Sequence, residues 1–144
     1  MSHRQTITGK CLCGAVRFTA ETVSHDVTVC HCTMCNRWSG GLSLFLDTVG
    51  VPNFEGAESI GVYKSSDWGE RGFCKVCGSS LYWKYVDEDR YTMSAGVIDD
   101  PAQLQLTKEI FIDDKPAYYA FANETVKQTA EEVLAASRAP GSKD

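Results

Sequence analysis

The chain has 144 residues, a formal net charge of −5, and 43% hydrophobic against 23% charged residues. Such a length allows one domain with a real core, and such a composition is that of a soluble globular protein. No apolar run approaches the roughly 20 residues of a membrane helix, and an acidic balance argues against nucleic acid, which favours a basic surface. The N-terminal stretch MSHRQTITGK is polar and lacks the apolar segment of a signal peptide, so the expected compartment is the cytoplasm.

Along the chain, extended segments dominate. Residues 15–20 (AVRFTA) alternate, with Val16 and Phe18 on one face. Residues 42–46 (LSLFL), 81–86 (LYWKYV), 91–95 (YTMSA) and 109–112 (EIFI) are strand-like for the same reason: aromatic and β-branched side chains at period 2 pack well on a pleated surface. Residues 47–61 are the longest stretch without clear periodicity, punctuated by Gly50, Gly56 and Gly61, which predicts a surface loop. Residues 124–138 (ETVKQTAEEVLAASR) contain neither Gly nor Pro and place Val126, Ala130, Val133 and Leu134 at helical spacing, which predicts a helix stopped by Pro140-Gly141. The expected class is mainly β with a C-terminal helix, as a single domain over 1–144 with its core in about 8–121 and flexible termini.

The chemistry lies in seven cysteines: Cys11, Cys13, Cys30, Cys32, Cys35, Cys74 and Cys77. An odd count in a reducing compartment argues against a disulfide framework and for metal or catalytic use. Every one has a neighbour at Cys-x-Cys or Cys-x-x-Cys spacing, which scattered core thiols have no reason to show. In an extended segment residues i and i+2 point the same way, so Cys11 and Cys13 can present both sulfurs to one ion. Cys74-Lys-Val-Cys77-Gly78 has the form of a zinc knuckle, in which a tight turn aims two thiolates at one point and the glycine permits the bend; Gly14 follows Cys13 likewise. Joined, the two halves make a closed Cys₄ tetrahedron. The alternative joins Cys74 and Cys77 to two of the central three.

The first pairing leaves Cys30, Cys32 and Cys35 as a local trio. Three protein ligands leave one position for water or substrate, which is how catalytic zinc sites are built. His31 would close that site as a fourth ligand. In an extended Cys-His-Cys its side chain faces away from the two sulfurs, which gives it a supporting or surface role instead. Three thiolates weaken zinc as a Lewis acid relative to three imidazoles, so activation of water for hydrolysis is less natural here. Taking up a fourth thiolate is natural, since the ion favours soft ligands and lowers a thiol's pKa. The expected substrate is a thiol or a thiol adduct.

Three segments carry a resemblance: Gly9-Lys-Cys11-Leu-Cys13-Gly14-Ala-Val-Arg-Phe18, Cys30-His-Cys32-Thr-Met-Cys35-Asn-Arg-Trp-Ser-Gly40 and Phe73-Cys74-Lys-Val-Cys77-Gly78-Ser-Ser-Leu81. In this order they resemble the glutathione-dependent formaldehyde-activating enzyme family, which also includes centromere protein V; Ser94–Asp99 and Ile110–Lys115 fit too. The resemblance implies an Mss4-like fold of β-sheets pinned by zinc. It implies a structural zinc at Cys11, Cys13, Cys74 and Cys77 and a substrate-facing zinc at Cys30, Cys32 and Cys35, the second able to be partly filled. It also implies a carbon–sulfur lyase reaction, the condensation of formaldehyde with glutathione or its reversal. Position 109 is Glu where the family pattern has His.

Arg37, Trp38, Ser39 and Gly40, just past Cys35 and Asn36, are the candidate substrate contacts. Arg37 forks onto a carboxylate or is a solvated surface arginine, and Trp38 walls the pocket or packs in the core. Ser39-Gly40-Gly41 offers N–H groups to an anion or, as the favoured reading, forms a plain turn. Lys64, Arg71 and Lys75 form a small basic group, read as solvated surface in preference to a dock for tripeptide carboxylates, and core filling explains most of Trp68, Tyr82, Trp83 and Tyr85. Two other classes compete with the enzyme. A non-catalytic binding module would need a fourth protein ligand on the second ion. A redox or zinc-storage protein would cycle Cys32 and Cys35 through a disulfide.

Overall fold

The computed structural model describes residues 3–137. Eleven strands and two α-helices are present among them. In chain order these are β1 (Gln5–Lys10), β2 (Arg17–Thr22), β3 (Asp26–Cys30), α1 (Thr33–Ser39), β4 (Ser43–Asp47), β5 (Val49–Glu55), β6 (Ile60–Lys64), β7 (Gly69–Cys74), β8 (Ser80–Tyr85), β9 (Tyr91–Ser94), β10 (Gln105–Ile110), β11 (Val126–Gln128) and α2 (Ala130–Ser137). The chain is mainly β with a short C-terminal helix, as its alternating patterns require. It divides into two compact units, residues 1–25 with 45–104 and residues 26–44 with 105–144.

The first unit carries an antiparallel three-stranded sheet, β1-β2-β5, and antiparallel strands in the order β4-β9-β8-β7-β6. Its core is built from Ile7, Val16, Phe18, Leu46, Leu81, Met93 and Ile98, with Cys11 and Cys74 among them. Strand β7 reads GERGFC, a poor strand sequence by propensity. It forms because its neighbour supplies the side chains. Gly72 pairs with Tyr82, and a Cβ on Gly72 would lie 2.3 Å from that ring. The aromatic covers the bare backbone, and no larger residue fits.

Residues 47–61 are not a loop. Val49–Glu55 is a strand, followed by one 3₁₀ turn over Ala57–Ser59 and the start of β6. Proline cannot donate to a ladder, yet Pro52 lies within this strand. Among the described residues β5 pairs with β2 alone, and the register breaks between Thr19 and Glu21, the stretch facing Pro52. An edge strand at an irregularity is where proline is tolerated. The turn at Gly56 has φ of 77°, and a Cβ there would sit 1.9 Å from the Ala15 carbonyl oxygen.

The second unit holds three parallel strands in the order β3-β10-β11, with α1 following β3 and α2 following β11. The helix expected over 124–138 begins at Ala130, and residue 138 lies outside the described residues, as does the stop at 140–141. Residues 126–128 instead extend beside Lys108–Ile110. The boundary is a capping box: the Glu132 N–H donates to Thr129 Oγ1 at 3.2 Å, and the Thr129 N–H donates to Glu132 Oε1 at 2.8 Å. Asp113 Oδ1 accepts from the Ala130 N–H at 2.9 Å.

Candidate metal centres

The structure brings Cys11, Cys13, Cys74 and Cys77 together, and separately Cys30, Cys32 and Cys35; within each group all sulfurs lie within 4.8 Å of one another. Cys74 and Cys77 therefore join Cys11 and Cys13, and not the central trio. In the first group the Cys11–Cys13 and Cys13–Cys74 sulfur separations are 3.7 and 3.8 Å. A tetrahedron with Zn–S of about 2.3 Å has an edge of about 3.8 Å. The donor set thus fits a closed thiolate site in chemistry and in size. Both clusters could hold metal ions.

The four-thiol cluster is assembled by two turns. Gly14 at φ 80° closes the turn after Cys13, where the Gly14 N–H donates to the Cys11 carbonyl at 3.1 Å. Gly78 at φ 81° does the same after Cys77, with its N–H on the Cys74 carbonyl at 2.8 Å. Backbone N–H groups already point at the sulfurs: Val16 N–H to Cys11 Sγ at 3.3 Å, and Val76 N–H to Cys74 Sγ at 3.3 Å. The Ser79 hydroxyl, 3.2 Å from Cys77 Sγ, and the Ser79 backbone bring the Cys77 thiol down to about 5. Burial pushes Cys11 up, but the Val16 N–H and neighbouring thiols outweigh it and hold Cys11 below its usual value. The Ala15 backbone draws Cys13 down, and burial with the surrounding thiols overrides it, raising Cys13 to about 11. The cluster is a set of thiols sharing protons that an ion can displace.

The trio is local. Cys30 ends β3, Cys32 is the N-cap of α1, and Cys35 lies in its first turn. Cys32 Sγ accepts from the Cys35 N–H at 3.3 Å. The turn that returns Cys35 is thus a helix, which the sequence reading did not anticipate. Cys30 is buried, while Cys32 and Cys35 are half-buried. Hydrogen bonds with Cys32 and Cys35, together with burial, push the Cys30 thiol well up. Cys30 draws Cys32 down, and Cys35 with burial outweighs it, so Cys32 is raised as well.

His31 is fully buried, not on the surface. Strand alternation sets Val27, Val29 and His31 on the face opposite Cys30, and Glu109 pairs with Val29 on the adjacent strand. His31 Nε2 lies 2.8 Å from Glu109 Oε1, and the Tyr119 hydroxyl lies 2.6 Å from His31 Nδ1. Thr125 Oγ1 donates to the other Glu109 oxygen, with Lys127 Nζ 3.7 Å from that oxygen. Burial raises the Glu109 carboxyl; the bonds from Thr125 and His31 and the charge of Lys127 outweigh it and keep the group below its usual range. Glu109 is therefore an ionised acceptor for both partners. With both ring nitrogens engaged by protein, His31 has none left for an ion. No fourth His, Cys, Asp or Glu joins the trio among the described residues.

The four candidate contacts, Arg37 to Gly40, separate. On a helix Trp38 and Ser39 share the face of Cys35, while Arg37 lies about 200° around. Arg37 and Ser39 are exposed, and Trp38 is half-buried. Ser39 Oγ donates to the Cys35 and Gly41 carbonyls at 3.0 and 3.1 Å, and the Gly40 and Gly41 N–H groups both donate to Asn36 O at 2.9 and 3.1 Å. These groups close the end of the helix, which is the turn reading, and the anion cradle weighed beside it is not formed. Arg71 also departs from its surface reading: it is buried, with Nε donating to Ser65 Oγ at 3.0 Å. Sequence reading singled out position 109 but missed Tyr119 and Thr125; Tyr119 is 88 residues from His31, and no local signal joins them.

A mainly β chain with one four-thiol and one three-thiol cluster defines a class of small proteins whose gathered thiols could hold metal ions. Comparison with known proteins narrows it. The profile of the family described as "Glutathione-dependent formaldehyde-activating enzyme" matches residues 6–114, and the chain belongs to that family. It is 33% identical over 127 residues, 88% of this chain and 93% of the relative, to a Schizosaccharomyces pombe protein named as an uncharacterised lyase. It is 35% identical over 86 residues to a Halomonas elongata protein named as a glutathione-dependent formaldehyde-activating enzyme, a match that covers 51% of this chain and 53% of the relative. A crystal structure of a Rhodobacter sphaeroides protein is similar in fold at a TM-score of 0.56 and 20% identity, over 69% of this chain and 99% of that one.

Proposed function

We propose that the protein is a zinc-dependent lyase acting at the sulfur of glutathione or a related thiol adduct, of the S-hydroxymethylglutathione type. The observation that carries this reading is the unequal division of thiols: four gathered in the first unit, and three in the second with no further protein donor among the described residues. Family membership and the lyase name of the Schizosaccharomyces pombe relative support the reaction class. In this reading Cys11, Cys13, Cys74 and Cys77 hold a structural zinc, and Cys30, Cys32 and Cys35 hold the second. When bound, zinc at the trio supplies a soft site that lowers the pKa of a substrate thiol.

The chain's own part is to shape and limit that site. Burial of Cys30 excludes water from one side, and the half-exposed Cys32 and Cys35 leave an approach from the other. His31, committed to Glu109 and Tyr119, stays out of the fourth place. Trp38, on the Cys35 face of α1, is the wall residue nearest in sequence. In the condensation a thiolate sulfur attacks the carbonyl carbon; the new C–S bond forms as the C=O π pair moves to oxygen, which takes up one proton. The reverse breaks that bond, and neither direction needs an oxidant.

The test is a titration of the cobalt-substituted protein with glutathione. The bands of the three-thiol site are expected to shift with saturation, and Cys35→Ser is expected to abolish that response. A spectrum that ignores glutathione overturns the reading.

A further inference from the structure

His31 is fastened at every polar atom it has. Its backbone N–H donates to the Ile110 carbonyl at 3.0 Å, and its carbonyl accepts from Asn36 Nδ2 at 3.3 Å. Its ring nitrogens meet Glu109 and Tyr119, and its ring lies 5.7 and 6.2 Å from the Tyr119 and Phe121 rings. Glu109 is fixed in turn by Thr125, and Lys115 Nζ sits 4.7 Å over the Tyr119 ring. A polar network centred on two buried groups, His31 and Glu109, is held rigid when its members are satisfied. The residue so held stands between Cys30 and Cys32, and Asn36, which grips its carbonyl, follows Cys35.

We propose that His31 is the positioning residue of the three-thiol site, racked by Glu109 and Tyr119 so that the Cys30, Cys32 and Cys35 sulfurs converge before any ion arrives. The inference rests on the reading that this trio holds a metal. An unbraced Cys-His-Cys strand end is free to rotate and turn one of the three sulfurs away from the other two. The rack prevents this from behind the strand, on the face the sulfurs do not occupy. It deepens the functional reading, because a site held open on three ligands keeps its affinity without a fourth.

The test is Tyr119→Phe and Glu109→Gln in the full chain, loaded with cobalt and competed against a chelator, with thiolate–cobalt absorption followed for each site. Tyr119→Phe removes one hydroxyl and keeps the ring. Affinity at the three-thiol site is expected to fall about tenfold in each variant, with weaker and shifted d–d bands, while the four-thiol site keeps its affinity. That four-thiol loading is the internal control for folding. Unchanged second-site affinity and spectrum in Tyr119→Phe overturn the inference, as does an equal loss at both sites. A wild-type trio that takes up no cobalt removes the functional reading itself. A trio that binds cobalt but ignores glutathione removes the reaction and leaves the rack testable.

Discussion

The two thiol clusters are built on opposite plans. The four-thiol cluster joins segments 61 residues apart in sequence, Cys13 with Cys74, and embeds Cys11 and Cys74 in the hydrophobic core of its unit. The three-thiol cluster spans six residues and is backed by a polar network, His31 with Glu109, Tyr119 and Thr125. A crosslink between distant segments removes much freedom from the unfolded chain, while one within a single turn removes little. In the proposed reading the first plan secures a fold, and the second shapes a site without the fold depending on it.

The largest expected effect separates the plans directly. Cys74→Ser is expected to cost most of the metal-linked stability of the first unit, on the order of 10 kcal/mol for a structural site, and to leave it unfolded by circular dichroism. Cys35→Ser is expected to lower metal content to about one ion per chain with the fold retained. Metal analysis beside a thermal melt checks both, and equal melting of the two variants would break the comparison.

A smaller effect comes from acid. Metal binding displaces thiol protons, so affinity falls as pH falls, and sooner where the thiols hold protons more tightly. Cys30 and Cys32 are both raised, whereas Cys77 is brought down to about 5 and Cys11 is also lowered, against Cys13 raised to about 11. The trio is expected to release its metal at a higher pH than the quartet in a chelator titration; the reverse order would sink this account. The smallest effect is Thr129→Ala, which removes half of the capping box of α2 and is expected to cost about 1 kcal/mol, read as a lower melting midpoint with both metals retained.

Much of this was legible in the residues. Thr129-Ala-Glu-Glu132 carried the helix start in plain form, but the unbroken run from Glu124 suggested a longer helix, and the pairing of Val126–Gln128 with β10 overrode it. Strand β7 was illegible because its reason for being a strand, the Tyr82 ring over Gly72, lies on another strand. Residues 47–61 read as a loop for want of periodicity, because an edge strand that holds Pro52 and breaks register shows no clean alternation.

Cysteine spacing by itself determined that the chain carries thiol pairs and one local trio, because periodicity fixes which neighbours in sequence can face a common point. Tertiary structure alone decided which distant pairs meet, and that His31 turns inward to Glu109 and Tyr119. Those contacts span 61 to 88 residues, and no local preference of the backbone encodes a partner so far along the chain.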